Sequence, residues 1–283
     1  MAEIISGKIV SEKIRAELKT EIDRFICESG HTPGLAVILV GDNPASKVYV
    51  RNKHKACLEV GINSYEISLS DSISERELIE KIGELNKDPR VDGILVQLPL
   101  PSHINEERVI ESIDPEKDVD AFSPVNVGRI TIGNYRLLPC TPAGIIELIN
   151  HYNIDLLGKR CVVIGRSNIV GKPMALLLTE KNGTVTLCHS KTENLKDICL
   201  DADLIVVAIG RPNFLRADMV KPGAVIIDVG INRTSEGKLV GDVAFDEVSQ
   251  IASMITPVPG GVGPMTITML LKNTLSAARI HKN

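Results

Sequence analysis

Residues 163–173, with the sequence VIGRSNIVGKP, constrain the fold of this chain more than any other segment. An apolar strand ends at Gly165, and Gly171 with Pro173 opens a helix directly after the turn. A strand, a glycine turn and a helix whose first amides are unpaired are the usual parts of a nucleotide phosphate site. Ser167 replaces the middle glycine of G-x-G-x-x-G, so on this motif alone a purely structural turn is an equal alternative.

The next predicted strand, residues 184–188, favours NADP over NAD. NAD sites usually carry an acidic residue at the end of this strand, where it binds the ribose 2′-hydroxyl. Residues 189–192 read His-Ser-Lys-Thr instead, so donors and positive charge replace the acid, as a 2′-phosphate requires. The alternative is that Ser190 or Thr192 caps a helix over residues 193–200, and the two roles can coexist.

The order of the other elements predicts an α/β fold. Predicted helices alternate with apolar strands, which is typical of parallel or mostly parallel sheets covered on both faces. The predicted strands cover residues 34–40, 64–69, 91–96, 161–164, 184–188, 204–209 and 224–229. The predicted helices include residues 6–29, 45–60, 74–85, 105–113, 143–151, 193–200 and 265–280.

A segment rich in proline, glycine and charge, residues 114–140, interrupts this alternation and marks a domain boundary. We predict a first domain over residues 1–139 and a Rossmann-like domain over residues 140–264, the two flanking a cleft. The last helix has one apolar side, so we expect residues 265–283 to return to the first domain.

Composition excludes several classes of function. The net charge is −4, aromatic residues make up 3% and tryptophan is absent, so neither nucleic acid nor a membrane is an expected partner. Six cysteines without C-x-x-C spacing indicate free thiols in a reducing compartment, and the six histidines lack the spacing of a metal site. The amino terminus has no signal-peptide pattern and no apolar run approaches a membrane span, which favours the cytoplasm.

Two predicted elements carry groups suited to catalysis. Tyr49 and Lys53 are four residues apart and share one face of a helix, where an aromatic ring beside an amine suits a substrate site. The alternative is a solvated basic face. Gln97 ends a buried strand, at the edge of the sheet where α/β folds bind ligands, and the alternative is an ordinary strand end.

Two irregular segments suit a flat, hydrogen-bonding ring. Residues 114–122 contain Asp118 and Asp120, and a buried carboxylate there could bind the paired donors of an aminopyrimidine. The alternative is a solvated acidic linker, because the glycine and glutamate of a calcium loop are missing. Residues 257–266 place three glycines before a helix, which suits a ring or a carboxamide, and the alternative is a hinge.

Together these segments resemble the bifunctional methylenetetrahydrofolate dehydrogenase/cyclohydrolase family over nearly the whole chain. The similarity rests on seven segments in the same order: 49–53 YVRNK, 96–101 VQLPLP, 115–120 PEKDVD, 139–142 PCTP, 165–171 GRSNIVG, 188–192 CHSKT and 257–266 PVPGGVGPMT. The resemblance implies NADP-dependent oxidation of 5,10-methylenetetrahydrofolate to the methenyl cation, followed by hydrolysis to 10-formyltetrahydrofolate. One departure is Ala121, where many relatives have glycine, and it concerns the loop geometry.

The resemblance also implies roles for individual residues. Lys53 serves the hydrolysis, and Gln97 tunes the state of this lysine. Tyr49 stacks on the folate, and Asp120 holds the pterin edge. The other implied substrate contacts are Leu98, Gly260, Gly261 and Val262. The implied cofactor contacts are Gly165, Arg166, Ser167, Val170, Gly171, Ser190, Gly210, Ile231 and Thr268, with Arg166 and Ser190 at the 2′-phosphate. The implied partners are tetrahydrofolate derivatives, including polyglutamylated forms, and a second copy of the chain in a homodimer.

Two rival interpretations share the architecture. A two-domain NADP dehydrogenase of the shikimate or amino-acid type also uses a lysine, but its small acidic substrates need several cationic or hydroxyl anchors. A non-catalytic NADP sensor would bind the cofactor without turnover.

Overall fold

The computed structural model describes residues 1–234 and 236–282. They form two compact units, named here after their main sheets. The six-stranded unit comprises Met1–Glu12 and Thr141–Thr266, and the three-stranded unit comprises Lys13–Cys140 and the residues from Ile267 onward.

Helices and strands alternate along the chain, as predicted. The described helices are α1 (Gly7–Ser29), α2 (Pro44–Val60), α3 (Glu75–Lys87), α4 (Glu106–Glu111), α5 (Pro124–Thr131), α6 (Cys140–His151), α7 (Gly171–Glu180), α8 (Leu195–Leu200), α9 (Phe245–Val248) and α10 (Val262–Lys282). The described strands are β1 (Glu3–Ile4), β2 (Gly34–Val40), β3 (Asn63–Leu69), β4 (Gly93–Val96), β5 (Arg160–Ile164), β6 (Thr184–Cys188), β7 (Leu204–Val207), β8 (Val225–Asp228), β9 (Asn232–Arg233), β10 (Leu239–Val240) and β11 (Met254–Ile255).

The three-stranded unit is built on a parallel sheet in the order β3–β2–β4. Every residue of the central strand β2 is buried, which explains its uninterrupted apolar sequence. Helix α2 follows β2 and begins at Pro44, because the side chain of Asn43 accepts hydrogen bonds from the amides of Ala45 (2.9 Å) and Ser46 (3.2 Å). The helix ends at Gly61, which has φ 89°. This start and end fix the register of Tyr49 and Lys53.

The six-stranded unit contains a parallel sheet in the order β1–β11–β8–β7–β5–β6. Strand β5 is followed in the chain by β6 on one side and then by β7 on the other. The strand order therefore reverses between β5 and β7, and open α/β sheets bind their ligands at the carboxyl ends of strands beside such a reversal. The short antiparallel pair β9 and β10 follows β8.

Both ends of the chain pair with distant segments. Residues 1–12 belong to the six-stranded unit because β1 pairs with β11 and the amide of Ile5 donates to the carbonyl of Ile255 at 2.9 Å. The predicted first domain, residues 1–139, includes this segment, because a two-residue strand has no recognisable sequence pattern. Helix α10 belongs to the three-stranded unit from Ile267, as its apolar side predicted. There the buried amide of Asn273 donates to the carbonyls of Val119 (2.8 Å) and Leu138 (2.7 Å).

Two local predictions are wrong. The segment predicted as a linker contains helix α5, which Ser123 caps by accepting from the amide of Asn126 at 3.3 Å. The helix predicted from residue 193 begins at Leu195, and neither Ser190 nor Thr192 caps it. The hydroxyl of Thr192 accepts from the amide of His189 at 2.8 Å instead, which closes the turn after β6.

The cysteines are free thiols, five of them buried and Cys27 exposed. Burial raises the pKa of Cys57 and of Cys199 to about 12, so these two thiols are unreactive near neutral pH. In residues 1–234 and 236–282, no helix has the length and apolarity needed to cross a membrane.

Candidate active site

In the three-stranded unit, Lys53 and Gln97 are joined by a hydrogen bond at the carboxyl end of β4. Half-buried Lys53 donates from Nζ to Oε1 of Gln97 at 3.0 Å. The backbone amide of Gln97 donates to the carbonyl of Ile38 at 2.9 Å, and its Nε2 donates to the carbonyl of Leu98 at 2.8 Å. Both ends of the Gln97 amide are therefore engaged, which orients its oxygen toward the amine. Tyr49 lies one turn before Lys53 on α2 and is 41% exposed, as a ring that stacks on a ligand must be.

Asp120 is the third member of this group. Burial raises the pKa of Asp120, the positive charge of Lys53 opposes that rise, and the neighbouring carboxylate of Asp118 adds to it. Asp120 and Lys53 are thus electrostatically coupled. Asp118 has a different role, because its buried Oδ2 accepts from the amide of Ser123 (2.8 Å) and from Nδ2 of Asn126 (3.1 Å). Asp118 holds the loop, while the carboxyl group of Asp120 has the thiol of Cys140 and the charge of Lys53 as neighbours.

The departure at Ala121 has a conformational meaning. Ala121 has φ 56°, a left-handed conformation that glycine adopts readily and that costs an alanine about 1–2 kcal/mol. Its amide donates to the carbonyl of Asp118 at 2.9 Å. The loop therefore keeps the conformation that glycine favours, although the residue is alanine. The buried Asn273 also binds this loop at Val119, and no sequence pattern indicates that contact.

In the six-stranded unit, the turn after β5 has no room for side chains at two glycines. Gly165 has φ 123°, and a Cβ atom built on it would lie 2.2 Å from the carbonyl oxygen of Ala208. A Cβ atom on Gly171 would lie 2.0 Å from the carbonyl oxygen of Gly165. Gly171 therefore serves the close packing of helix against strand that the third glycine of a dinucleotide fingerprint provides.

The first amides of α7 are not free, contrary to the prediction. The hydroxyl of Ser167 accepts from the amides of Val170 and Gly171, both at 3.2 Å. The amide of Lys172 donates to the carbonyl of Ser167 at 3.1 Å, and Pro173 has no amide hydrogen. Ser167, which stands at the position of the missing glycine, therefore accepts the hydrogen bonds of these amides.

A cavity of about 510 Å³ lies at the carboxyl ends of β5, β6 and β7. Arg166 and Ser190 line it, together with His189 and Arg211, and no acidic residue is among the lining residues. Arg211 is not among the predicted site residues, and its guanidinium carbon lies 5.1 Å from the ring centre of Phe214. A basic residue directly after the glycine that follows β7 could have indicated it. The cavity brings together the residues predicted to bind the 2′-phosphate.

A second cavity, of about 160 Å³, lies beside residues 257–264. The predicted contacts Gly260, Gly261, Val262 and Ile231 line it together. Gly260 has φ 102°, and its carbonyl accepts from the amide of Lys8 at 3.0 Å. Ile231 is 47% exposed, so its side chain is available to a ligand.

Five predicted cofactor contacts lie outside the lining of these cavities: Ser167, Val170, Gly171, Gly210 and Thr268. Gly210, with φ 64°, lies between the lining residues Ile209 and Arg211. Thr268 belongs to the three-stranded unit, where it is fully buried and its hydroxyl accepts from Nε of Arg15 at 3.0 Å. The role of Thr268 as a cofactor contact stays a prediction.

Comparison with known proteins decides the family. Residues 5–120 match the catalytic domain, and residues 139–282 the NAD(P)-binding domain, of tetrahydrofolate dehydrogenase/cyclohydrolase. The chain is 60% identical over 280 residues to the bifunctional protein FolD of Acetivibrio thermocellus, covering 99% of this chain and 98% of that protein. The chain belongs to the tetrahydrofolate dehydrogenase/cyclohydrolase family.

Solved structures of this family agree with the fold throughout. The bifunctional FolD methylenetetrahydrofolate dehydrogenase/cyclohydrolase of Campylobacter jejuni is 53% identical, with a TM-score of 0.96 and coverage of 99% of both chains. The Trypanosoma brucei enzyme, solved with NADP and an inhibitor, is 39% identical, with a TM-score of 0.94 and coverage of 99% of this chain and 98% of that one. Lys53, Gln97 and Asp120 all fall in the family's catalytic domain, and both cavities fall in its NAD(P)-binding domain.

Proposed function

We propose that the chain is a bifunctional, NADP-dependent enzyme of one-carbon metabolism. It oxidises 5,10-methylenetetrahydrofolate to 5,10-methenyltetrahydrofolate and hydrolyses the product to 10-formyltetrahydrofolate. The observation that carries the proposal is the hydrogen bond from Lys53 to Gln97 in a chain whose catalytic domain matches this family. Family membership at this level of identity excludes the shikimate-type interpretation.

The substrate contacts follow from the chemistry of the pterin. Its aminopyrimidine edge presents two parallel donors, which an ionised carboxylate such as Asp120 accepts. Tyr49 offers an exposed ring for stacking, and the backbone of Leu98 lies beside Gln97. We assign Gly260, Gly261 and Val262 to the substrate as well, because residues at a glycine-rich loop allow a flat ring to approach the backbone.

Lys53 handles the proton in the hydrolysis. Water adds to the positively charged methenyl carbon and loses one proton. The bond from that carbon to N5 then breaks as the remaining hydroxyl proton is transferred to N5, which leaves the formyl group on N10. In its unprotonated form, the ε-amino group of Lys53 takes the proton of the attacking water, and the Gln97 oxygen 3.0 Å away fixes the direction of the amine. The oxidation needs no acid or base, since a conjugated cation remains, so the residues serve mainly to orient the substrate.

The residues of the six-stranded unit fit NADP. Two positions exclude any side chain at the turn after β5, and the larger cavity has two arginines, a serine and a histidine with no acid. Arg166 and Ser190 would hold the 2′-phosphate, with Arg211 as an additional cation. Ser167, Val170 and Gly210 would lie at the phosphates, and Ile231 at the nicotinamide. NADP supplies the acceptor for the hydride of the bridging methylene.

We further propose a homodimer in the cytoplasm that also accepts polyglutamylated folates. The free cysteines support a reducing compartment, and the family resemblance supports the dimer and the tail. Light scattering coupled to size exclusion tests the dimer directly.

The test of the whole proposal follows the methenyl chromophore. Pure protein is mixed with methylenetetrahydrofolate and NADP, and in parallel with NAD. We expect the chromophore to form with NADP and to decay during hydrolysis. If it forms with neither cofactor, the proposed function is wrong, and if NADP binds without turnover, the sensor interpretation replaces it.

A further inference from the structure

Two buried carboxylates beside the cofactor cavity have no cationic partner. Asp228 is 3% exposed and Asp242 is fully buried. Within the described ranges, no lysine, arginine or histidine forms an ion pair with either of them. Burying a charged group is costly unless it is fully hydrogen-bonded, so these carboxylates must be held by other donors.

Asp242 binds backbone on the wall of the larger cavity. Its Oδ2 accepts from the amides of Ile209 at 2.7 Å and of Gly210 at 2.9 Å. Ile209 lines the cavity, and Gly210 is followed by the lining residue Arg211. The carbonyl of Asp242 also accepts from the amide of Phe214, another lining residue, at 2.6 Å. Three residues at this wall, Ile209, Gly210 and Phe214, are therefore bound by Asp242.

The other oxygen of Asp242 reaches the second cavity. Its Oδ1 accepts from Nδ2 of Asn232 at 2.9 Å, and Asn232 follows the lining residue Ile231. One carboxylate therefore connects the walls of both cavities in the six-stranded unit. The proposed function places the 2′-phosphate at one of these walls and the nicotinamide at the other.

Asp228 holds Asp242 itself. Its Oδ1 accepts from the amides of Gly230 and Asp242, and its Oδ2 from the amide of Val243, all at 2.9 Å. Any Cβ atom on Gly241 would overlap the Asp228 carboxylate, and one on Gly230 would overlap that of Asp242. The two carboxylates thus lie directly against glycine backbone, and each has three N–H donors.

We infer that Asp242 is a positioning residue for the cofactor, which sets the Ile209–Gly210 wall and, through Asn232, the Ile231 wall. The inference rests on the proposed function, because it takes NADP as the occupant of the cavity. The side-chain hydrogen bonds of Asp242 end on residues that line or adjoin the cavities, while its backbone carbonyl also accepts from the amide of the core residue Leu215 at 3.0 Å. Removal of the carboxylate leaves two neighbouring amides without an acceptor, so this wall is expected to shift.

The test compares Asp242→Ala and Asp242→Asn with Asp203→Ala. Asp203 is a matched control in the same unit, because it precedes β7 at the other end of that strand, accepts from the amide of Arg160 at 3.0 Å and pairs with Lys221 at 2.6 Å. Each protein is measured for NADPH affinity by fluorescence titration, for the KM and kcat of the dehydrogenase, for cyclohydrolase activity and for thermal unfolding.

We expect Asp242→Ala to weaken NADPH binding at least tenfold and to raise the KM for NADP in parallel. Asp242→Asn keeps an acceptor for the two amides but turns an NH2 group toward Nδ2 of Asn232, so it should lose NADPH affinity by about three- to fivefold. Cyclohydrolase activity should stay within about twofold of wild type in both, since Lys53 and Gln97 belong to the other unit. Asp203→Ala should lower the unfolding temperature with wild-type affinity for NADPH.

Two results would overturn the inference. One is wild-type NADPH affinity in folded Asp242→Ala. The other is an equal loss of dehydrogenase and cyclohydrolase activity in Asp242→Ala, together with wild-type NADPH affinity in Asp242→Asn. A purely structural role predicts that pattern. If Asp242→Ala does not fold, Asp242→Asn decides the matter, and a loss of affinity below about twofold refutes the role. A failure of the proposed function differs from these results, because wild type itself would then lack NADPH binding or turnover.

Discussion

Replacing Gly171 by alanine should damage cofactor binding and leave the hydrolysis intact. The added Cβ atom would lie 2.0 Å from the carbonyl oxygen of Gly165, and ordinary contact begins at 3.4 Å. The start of α7 must therefore move away from the turn after β5 by more than about 1 Å. Both sides of this contact are backbone, so no side chain can rotate aside.

The cost of that movement follows from the hydrogen bonds at the turn. The amides of Val170, Gly171 and Lys172 all donate to Ser167, and a shift of this size breaks or weakens all three. At about 1 kcal/mol for each bond, the unit loses about 3 kcal/mol, which lowers its unfolding temperature by roughly 10 °C. Because a misplacement of about 1 Å can cost a factor of about 100 in a binding site, we expect a loss of NADPH affinity of at least about tenfold.

Calorimetry and NADPH titration measure the two effects, and hydrolysis of methenyltetrahydrofolate without NADP is the internal control. Gly83→Ala is the matched substitution, since Gly83 lies within α3 and an added Cβ atom there meets nothing within 4 Å. Gly83→Ala should raise stability by about 0.5–1 kcal/mol. Wild-type affinity and unfolding temperature in Gly171→Ala would refute the reasoning, because the contact with Gly165 would then not be rigid.

Three further predictions concern single groups. Lys53→Met should abolish the cyclohydrolase while NADPH binding persists, measured by decay of the methenyl chromophore, and unchanged hydrolysis would remove Lys53 from the mechanism. Arg166→Glu should raise the KM for NADP by about tenfold or more and that for NAD by less than about threefold, with Lys172→Glu as a nearby control, and equal effects on both cofactors would exclude the 2′-phosphate role. Burial raises the pKa of Asp228 from 3.8 to about 6, so the native state binds a proton that the unfolded state releases, and the stabilisation by this group is lost as pH rises through about 6. The unfolding free energy of wild type minus that of Asp228→Asn should therefore fall by about 2 kcal/mol from about pH 4.5 to about pH 7.5. A pH-independent difference in urea titrations would contradict this prediction.

Strong local patterns predicted most of the fold. Strands β2 and β6 have the predicted bounds, because the continuous apolar run of β2 and the alternating run of β6 are both local signals. The starts of α2 and α3 follow from Asn43 and Ser74, whose side chains accept from the first amides of these helices. Strands of two residues, such as β1 and β11, carry no pattern of their own and exist through pairing with distant segments.

The site was predictable in part for the same reason. Arg166 and Ser190 could be read from their positions after β5 and β6, since the carboxyl ends of neighbouring parallel strands meet at one edge. The assignment of Lys53 came from the family resemblance, because a lysine on a basic helix is usually a surface residue. The first amides of α7 donate to Ser167, whereas the sequence predicts that they are unpaired. No spacing rule would have indicated these hydrogen bonds.

Four residues whose roles escaped prediction are buried and polar, whereas Arg211, which also escaped it, is exposed. Asp118, Asp228, Asp242 and Asn273 are each at most 6% exposed, and each bonds to backbone far away in the sequence or around a loop. A buried polar group is tolerated only where its partners are supplied, so the partners identify its task. The side chains that we propose as ligand contacts, such as Tyr49, Lys53 and Arg166, are exposed or half-buried and can be recognised by their chemical type. The side chains that hold the walls can be recognised only from their bonds, and for Asp242 those bonds end at both cavities of the NAD(P)-binding domain.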